Sequence, residues 1–183
     1  MNSKAKVEGE QRNVRTPLLD FVLALRLTLK AWPVIAAATI GLCYLTQLVA
    51  KWFGIELPDQ LNVDVVRRCL SRTFDSWKAF LVSAMLVAQV VLLMPALEEC
   101  VFRLPLRWLK HPICAVISAA LFSAAHYITQ PWPDAAFLAL FFFGLAQTWL
   151  YFKTRHIWCA MLNHALFNLT NLVLLFVVPQ SAS

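Results

Sequence analysis

Residues 77–109 read WKAFLVSAMLVAQVVLLMPALEECVFRLPLRWL, and this stretch decides the fold. Residues 79–97 carry no charged side chain. A run of about 20 apolar residues crosses the hydrocarbon core of a bilayer as a helix, the form in which a chain satisfies its own backbone polar groups in lipid. Glu98 and Glu99 then interrupt the run, and apolar sequence resumes around Arg103 and Arg107. An ionised group at the centre of a membrane helix costs roughly 2.5–3.5 kcal/mol on insertion scales. An adjacent carboxylate pair in such a place points to a site.

Working outward, comparable runs lie at residues 33–53, 112–128, 135–152 and 156–178. The whole chain agrees with them. Of its 183 residues 60% are hydrophobic and only 14% charged, and mean hydropathy is +0.65. Soluble domains carry about 25% charged residues, so this composition excludes a disordered chain and argues against a soluble domain. The expected fold is all-α: a polytopic transmembrane helix bundle of about five spans. Residues 17–31 place Leu18, Phe21, Val22, Leu25 and Leu29 near one helical face, which reads as an N-terminal interfacial helix or as an early part of the first span. The expected organisation is a basic cytoplasmic N-terminus and interfacial segment (1–32), a first span with a long loop (33–78), a core (79–178) and a short tail (179–183).

Trp32, Trp52, Trp77, Trp108, Trp132, Trp149 and Trp158 all fall near expected span ends, as an aromatic belt requires. Basic residues set the orientation. Lys4, Lys6, Arg12, Arg15, Arg26 and Lys30 precede the first span, Arg103, Arg107 and Lys110 follow the second, and Lys153 and Arg155 separate the last two. The N-terminus is therefore expected in the cytoplasm and the C-terminus outside, in the plasma membrane. The stretch from Lys51 to Lys78 runs against this rule, with five basic residues on the outer side. Five cysteines without a C-x-x-C pair make neither a disulfide framework nor a zinc ribbon. Dispersed basic residues give no dense patch for nucleic acid. The expected partners are membrane lipids and a membrane-associated peptide or protein.

Between Asp75 and Asp134 the sole acids are Glu98 and Glu99. Arg103, one helical turn on, can answer Glu99. Glu98 is left without an evident local partner, as suits a general base. His126 and His164 are also placed within apolar runs, with Phe122 one turn before the first and Asn168 one turn after the second. At about 1.5 Å per residue, Glu98 lies roughly 18 Å in from Lys110, His126 roughly 22 Å in from His111, and His164 roughly 14 Å in from Arg155. Three helices thus bring polar groups to a similar depth. Pro95 and Pro105 flank the glutamates and are expected to loosen the helix and admit water or a substrate backbone. A lone membrane histidine is more often a helix–helix hydrogen bond, and Asn163 reads as packing. The combination of Glu98, Glu99, Arg103, His126, His164 and Asn168 is what suggests a site, in a polar cavity open to the cytoplasmic half.

Residues 98–103 read E-E-x-x-x-R, residues 122–126 F-x-x-x-H, and residues 164–168 H-x-x-x-N. In this order, on successive hydrophobic helices, they resemble the CPBP family. These are the CAAX protease and bacteriocin-processing membrane proteins, also called Abi, and include the type II CAAX prenyl endopeptidases. The resemblance covers roughly residues 79–178. It implies an intramembrane endopeptidase acting on a membrane-associated, in some cases lipidated, protein. It further implies that Glu98 activates water with the help of His126, and that His164 and Asn168 stabilise the oxyanion. Glu99, Arg103 and Phe122 would shape and support the site. Leu104 and Pro105 depart from the family's usual small residue after the arginine.

Peptide hydrolysis needs a base for water and donors for the oxyanion, and these residues offer both without a cofactor. A zinc ion held by Glu98, His126 and His164 is the other version. The metal-free one is favoured because H-E-x-x-H is absent. The alternative reading from another class is a non-catalytic immunity or scaffold protein of the same family. A proton or ion pathway is a third.

Overall fold

The computed structural model describes residues 17–57, 61–109, 111–128 and 136–177. Lys110, Trp132, the N-terminal basic residues 4–15 and the tail 179–183 lie outside them. Every regular element described is a helix: α1 (Pro17–Trp52), α2 (Leu61–Ser71), α3 (Trp77–Ala88), α4 (Met94–Arg103), α5 (Pro112–Ala125), α6 (Ala136–Thr154) and α7 (Ile157–Val177). A π turn, Gln89–Leu93, joins α3 to α4, and a 3₁₀ turn, Leu104–Arg107, ends α4.

Among the described residues four helices are long and apolar enough to span a membrane: Pro17–Trp52, the continuous rod Trp77–Arg107, Ala136–Thr154 and Ile157–Leu175. The fifth expected span is shorter. α5 has 14 residues, about 21 Å, because it ends at Ala125 and leaves His126 as its C-cap. The separate interfacial helix is not found either. Residues 17–31 are the first turns of α1, which runs unbroken for 36 residues with Pro33 inside it. At about 54 Å, α1 exceeds the bilayer core and must tilt or project from it.

The packing face of α1 is a row at i,i+4 spacing. Ala24, Thr28 and Ala36 are buried, and Trp32 falls in the same row. The Thr28 and Thr39 hydroxyls donate to the carbonyls of Ala24 and Ile35, so neither is left unsatisfied in an apolar setting. The row packs against α6 and α7. Trp32 is accordingly not an interfacial anchor. It is half-buried against Ala36, Phe122, Phe143 and Phe167, because α1 starts fifteen residues before it. Trp52, Trp77 and Trp108 are exposed, in keeping with an aromatic belt.

α5 and α6 approach closely at Gly144. A Cβ there would stand 3.1 Å from the Ala119 Cα, 3.2 Å from its Cβ and 3.3 Å from the Phe122 ring. Small residues of this kind let membrane helices pack. α6 turns into α7 over two residues, with Arg155 in the left-handed region at φ 61° and its N–H on the Tyr151 carbonyl (2.8 Å). This short link sets α6 and α7 side by side, and α4 packs on α7.

Gly144→Ala is expected to destabilise the bundle by about 1–3 kcal/mol through overpacking, since the closest atom is backbone and cannot swing away. Gly144→Leu should prevent folding. Thermal unfolding in detergent measures both.

Candidate active site

The centre of the bundle holds Glu99 and Arg103 on α4, His164 on α7 and Phe122 on α5, all buried. Glu99 and Arg103 share a helix face at i,i+4, with Arg103 Nε 3.2 Å from Glu99 Oε2. Neither atom makes an aligned hydrogen bond, so the contact is one of charge. Arg103 Nη2 donates to the Gly144 carbonyl at 3.2 Å, and its guanidinium carbon lies 4.7 Å from the centre of the Phe122 ring. One arginine therefore ties α4 to α6 and covers α5. The absence of a side chain at Gly144 keeps that carbonyl within reach.

His164 stands between the two glutamates. Its Nδ1 is 2.9 Å from Glu99 Oε1, and its Nε2 is 3.6 Å from Glu98 Oε2. Glu99 lacks a proton to give while it faces Arg103, so His164 Nδ1–H is the donor. This fixes the tautomer and the plane of the ring. Phe143 and Phe122 hold the ring edge-on, with centroids 5.0 and 5.7 Å away. On the other side, a bare Nε2 lone pair would repel a bare Glu98 carboxylate. The arrangement calls for one proton between them. Glu98 is the member of the group that reaches outward, its side chain 20% exposed.

His126 is placed differently from its expected mid-helix position. At the C-cap of α5 it is half-buried. Its Nδ1 meets the Phe122 carbonyl at 2.8 Å, and its ring packs on the Phe122 ring at 4.7 Å. It touches the cluster through that phenyl ring, which leaves Nε2 as the nitrogen available to a water or a substrate. Asn168 is engaged elsewhere as well. Its Nδ2 donates to the Val90 carbonyl at 2.9 Å.

That bond has a covalent origin. In the π turn the Met94 N–H reaches back five residues to the Gln89 carbonyl. The next donor in that register would serve Val90, but it belongs to Pro95, which has no N–H. Asn168 answers the freed carbonyl. Both prolines lie where the α-helical pattern is broken, Pro95 just after the π turn and Pro105 in the 3₁₀ turn, and at Pro95 the rod continues with a side chain of α7 taking the vacant bond. One amide hydrogen of Asn168 remains uncommitted by this bond.

Gln147 and Gly144 escaped the sequence reading. Gln147 is buried on α6 and donates to Asn163 Oδ1 at 2.8 Å. Asn163 in turn donates to the Thr28 carbonyl at 3.5 Å. Asn163 is thus a packing residue, one position before His164 and on another face. Gly144 left a legible signal, as the one glycine beyond residue 54 and within an apolar run. Gln147 left none that separates it from a surface amide. Two cavities, of about 440 and 520 Å³, are lined by other residues, so the expected polar cavity is not among them.

Among the described residues no three His, Cys, Asp or Glu side chains form a metal-ligand group. His164 spends its Nδ1 on a carboxylate, which leaves its Nε2, 3.6 Å from Glu98, as its remaining donor atom.

A family model described as type II CAAX prenyl endopeptidase Rce1-like matches residues 80–170, from the start of α3 into α7. No curated protein and no solved structure matches the chain.

Removing one partner of a buried ion pair costs about 3–5 kcal/mol. Arg103→Leu, which leaves Glu99 buried and unanswered, is expected to fall in that range. Adding Glu99→Leu should recover part of the loss. Unfolding midpoints of the two variants decide it: a double variant less stable than the single would contradict the pairing.

Proposed function

The chain belongs to the Rce1-like family of type II CAAX prenyl endopeptidases, and on that premise we propose that it hydrolyses a peptide bond of a membrane-associated protein within the bilayer. The observation that carries the reading is the Glu98–His164–Glu99 arrangement, a partly exposed carboxylate beside a histidine whose far nitrogen is pinned by a buried, arginine-paired carboxylate.

The proposed steps use these residues alone. Glu98 takes a proton from a water molecule as its oxygen adds to the scissile carbonyl carbon. His126, with Nε2 available, assists at that water. The carbonyl π electrons move to oxygen, and the oxyanion is met by His164 Nε2–H and by the spare N–H of Asn168. The carbon–nitrogen bond then breaks, and the departing amine takes the proton held by Glu98. With Nδ1–H on Glu99 and Nε2–H on the oxyanion, His164 acts as an imidazolium, and Glu99, itself paired with Arg103, holds that ring in place, as the buried carboxylate of a catalytic triad holds its histidine. Phe122 spaces His126, His164 and Arg103 about one ring.

The water-attack chemistry needs no cofactor. We place the chain in the plasma membrane with its N-terminus in the cytoplasm, on the distribution of Lys and Arg around the spans. The substrate is a membrane-associated peptide or protein, with a lipid group on it as the family name suggests.

Purified protein in liposomes, offered peptides with and without a lipid group, tests this. Glu98→Gln and His164→Ala should each lower kcat/KM by roughly 10²–10⁴-fold with folding intact, and His126→Ala and Asn168→Ala should also lower it. Chelator should leave the rate unchanged. Loss of cleavage in chelator with recovery in zinc would turn Glu98 and the histidines into ligands. No cleavage of any peptide by folded wild type would favour the non-catalytic immunity or scaffold reading.

A further inference from the structure

The rod Trp77–Arg107 carries a polar side chain that the hydrolytic cluster does not use. Gln89 opens the π turn and is exposed. Its backbone carbonyl accepts from the Met94 N–H, while its carboxamide has no hydrogen-bond partner among the described residues. Residues 79–88 carry no charge, so roughly 16 Å of helix separates Gln89 from Lys78, and roughly 14 Å separates it from Glu98. The surface around it is apolar. Leu81, Met85, Leu93 and Leu97, at steps of four residues on either side, are all exposed, and little of the rod's most apolar window is buried within the chain. Ser83, the other polar side chain of this run, is answered internally. It accepts from the Thr73 hydroxyl at 2.9 Å and donates to the Cys69 carbonyl at 3.2 Å.

An amide that faces hydrocarbon unpaired is costly, because lipid tails offer neither donor nor acceptor. Membrane helices relieve that cost by pairing such side chains with a neighbouring helix. A carboxamide has two donor hydrogens and an acceptor oxygen, so it is complementary to another of its kind. The shape around Gln89 is self-complementary too. Leu81, Met85, Gln89 and Leu93 form an i,i+4 ridge along the rod. A straight α-helix would carry that ridge round by about 40° per step. The π turn between Gln89 and Leu93 fits more residues into its turn and brings the ridge back. Beside the ridge lies the groove of about 440 Å³, lined on the rod by the adjacent row Phe80, Ala84, Ala88 and Leu92. A ridge next to a groove on one surface is what an isologous contact requires, each copy seating its ridge in the other's groove.

We propose that two copies of this chain pair in the bilayer about a two-fold axis along the membrane normal, with the two Gln89 carboxamides hydrogen-bonded to each other where the rods cross. The i,i+4 ridges of both rods then interdigitate, which crosses them at roughly −50°. At such an angle the rods diverge on either side, so one amide pair at the crossing is what the contact holds. The hydrogen bond selects this occupant. An acyl chain would fill the groove but has no donor or acceptor to offer at that depth. A substrate helix leaves after each turnover and would bare the amide between turnovers. A second copy brings the same amide to the same depth and stays.

Single-molecule photobleaching of the full chain, carrying one dye at its N-terminus and held in phosphatidylcholine liposomes, reads pairing directly. Wild type should bleach in two steps in a fraction that rises with the protein-to-lipid ratio. Gln89→Leu, which keeps the ridge and removes the amide, should weaken the dimerisation constant on the order of 10-fold. Ala84→Trp, which fills the groove, should weaken it as well. Ile117→Trp, on the exposed face of α5, should leave it unchanged. Unfolding midpoints near wild type would show that the variants fold. Single-step bleaching of wild type at every ratio, undiminished pairing in Gln89→Leu or Ala84→Trp, or equal weakening by Ile117→Trp would overturn the proposal. Undiminished pairing in Gln89→Leu together with a raised KM for peptides would give the face to the substrate instead. The readout is pairing, so it stands whether or not cleavage is observed.

Discussion

Glu99 is a fully buried carboxylate in a bundle of apolar helices, and the cost of placing it there dictates what surrounds it. Burial of an ion is repaid only where a counter-charge and hydrogen bonds meet it. Arg103 supplies the charge from the next turn of the same helix, and His164 supplies the hydrogen bond from another helix. The arginine brings its own requirement. Its remaining donors need acceptors, and Gly144 offers a backbone carbonyl because no Cβ holds α6 away. The ion pair thus fixes the spacing of α4, α5, α6 and α7 together.

The same pair turns a structural device into a chemical one. A histidine pinned at Nδ1 presents Nε2 in one direction, and that direction is towards Glu98. Two adjacent glutamates point to different tasks because helical geometry separates their side chains by about 100°. Glu99 faces inward to Arg103, while Glu98 retains access. Asn168, one turn beyond His164, locks α7 to the π turn through the Val90 carbonyl. The register of α7 against the rod is therefore set at two successive turns, by His164 and by Asn168.

The helical membrane fold was legible in composition and in the lengths of the apolar runs. So was the meeting of the glutamates with His164, because a costly group within an apolar run is itself a signal and the depths agreed. The limits are equally physical. Depth arithmetic assumes unbroken helices, and α5 stops at Ala125, so His126 arrives as a cap rather than as a mid-helix ligand. Hydropathy does not show where one apolar helix begins, so the N-terminal segment stayed open between an interfacial helix and the early part of the first span, which it proves to be, and Trp32 was placed at an interface when it packs against the core. Carbonyl partners leave no trace in side-chain identity. Pro95 signalled a vacant hydrogen bond, but nothing in the sequence said that Asn168 would fill it.

The central claim is that Glu98 delivers water to a peptide carbonyl. Single-turnover cleavage in water enriched in oxygen-18 tests it most directly, with mass spectrometry of both the product and the enzyme. Water attack assisted by Glu98 should leave one labelled oxygen in the new product carboxylate, none in Glu98, and no labelled product from Glu98→Gln over the same interval. Label in the Glu98 side chain would make that residue a covalent nucleophile. Labelled product from Glu98→Gln at the wild-type rate would remove it from the reaction.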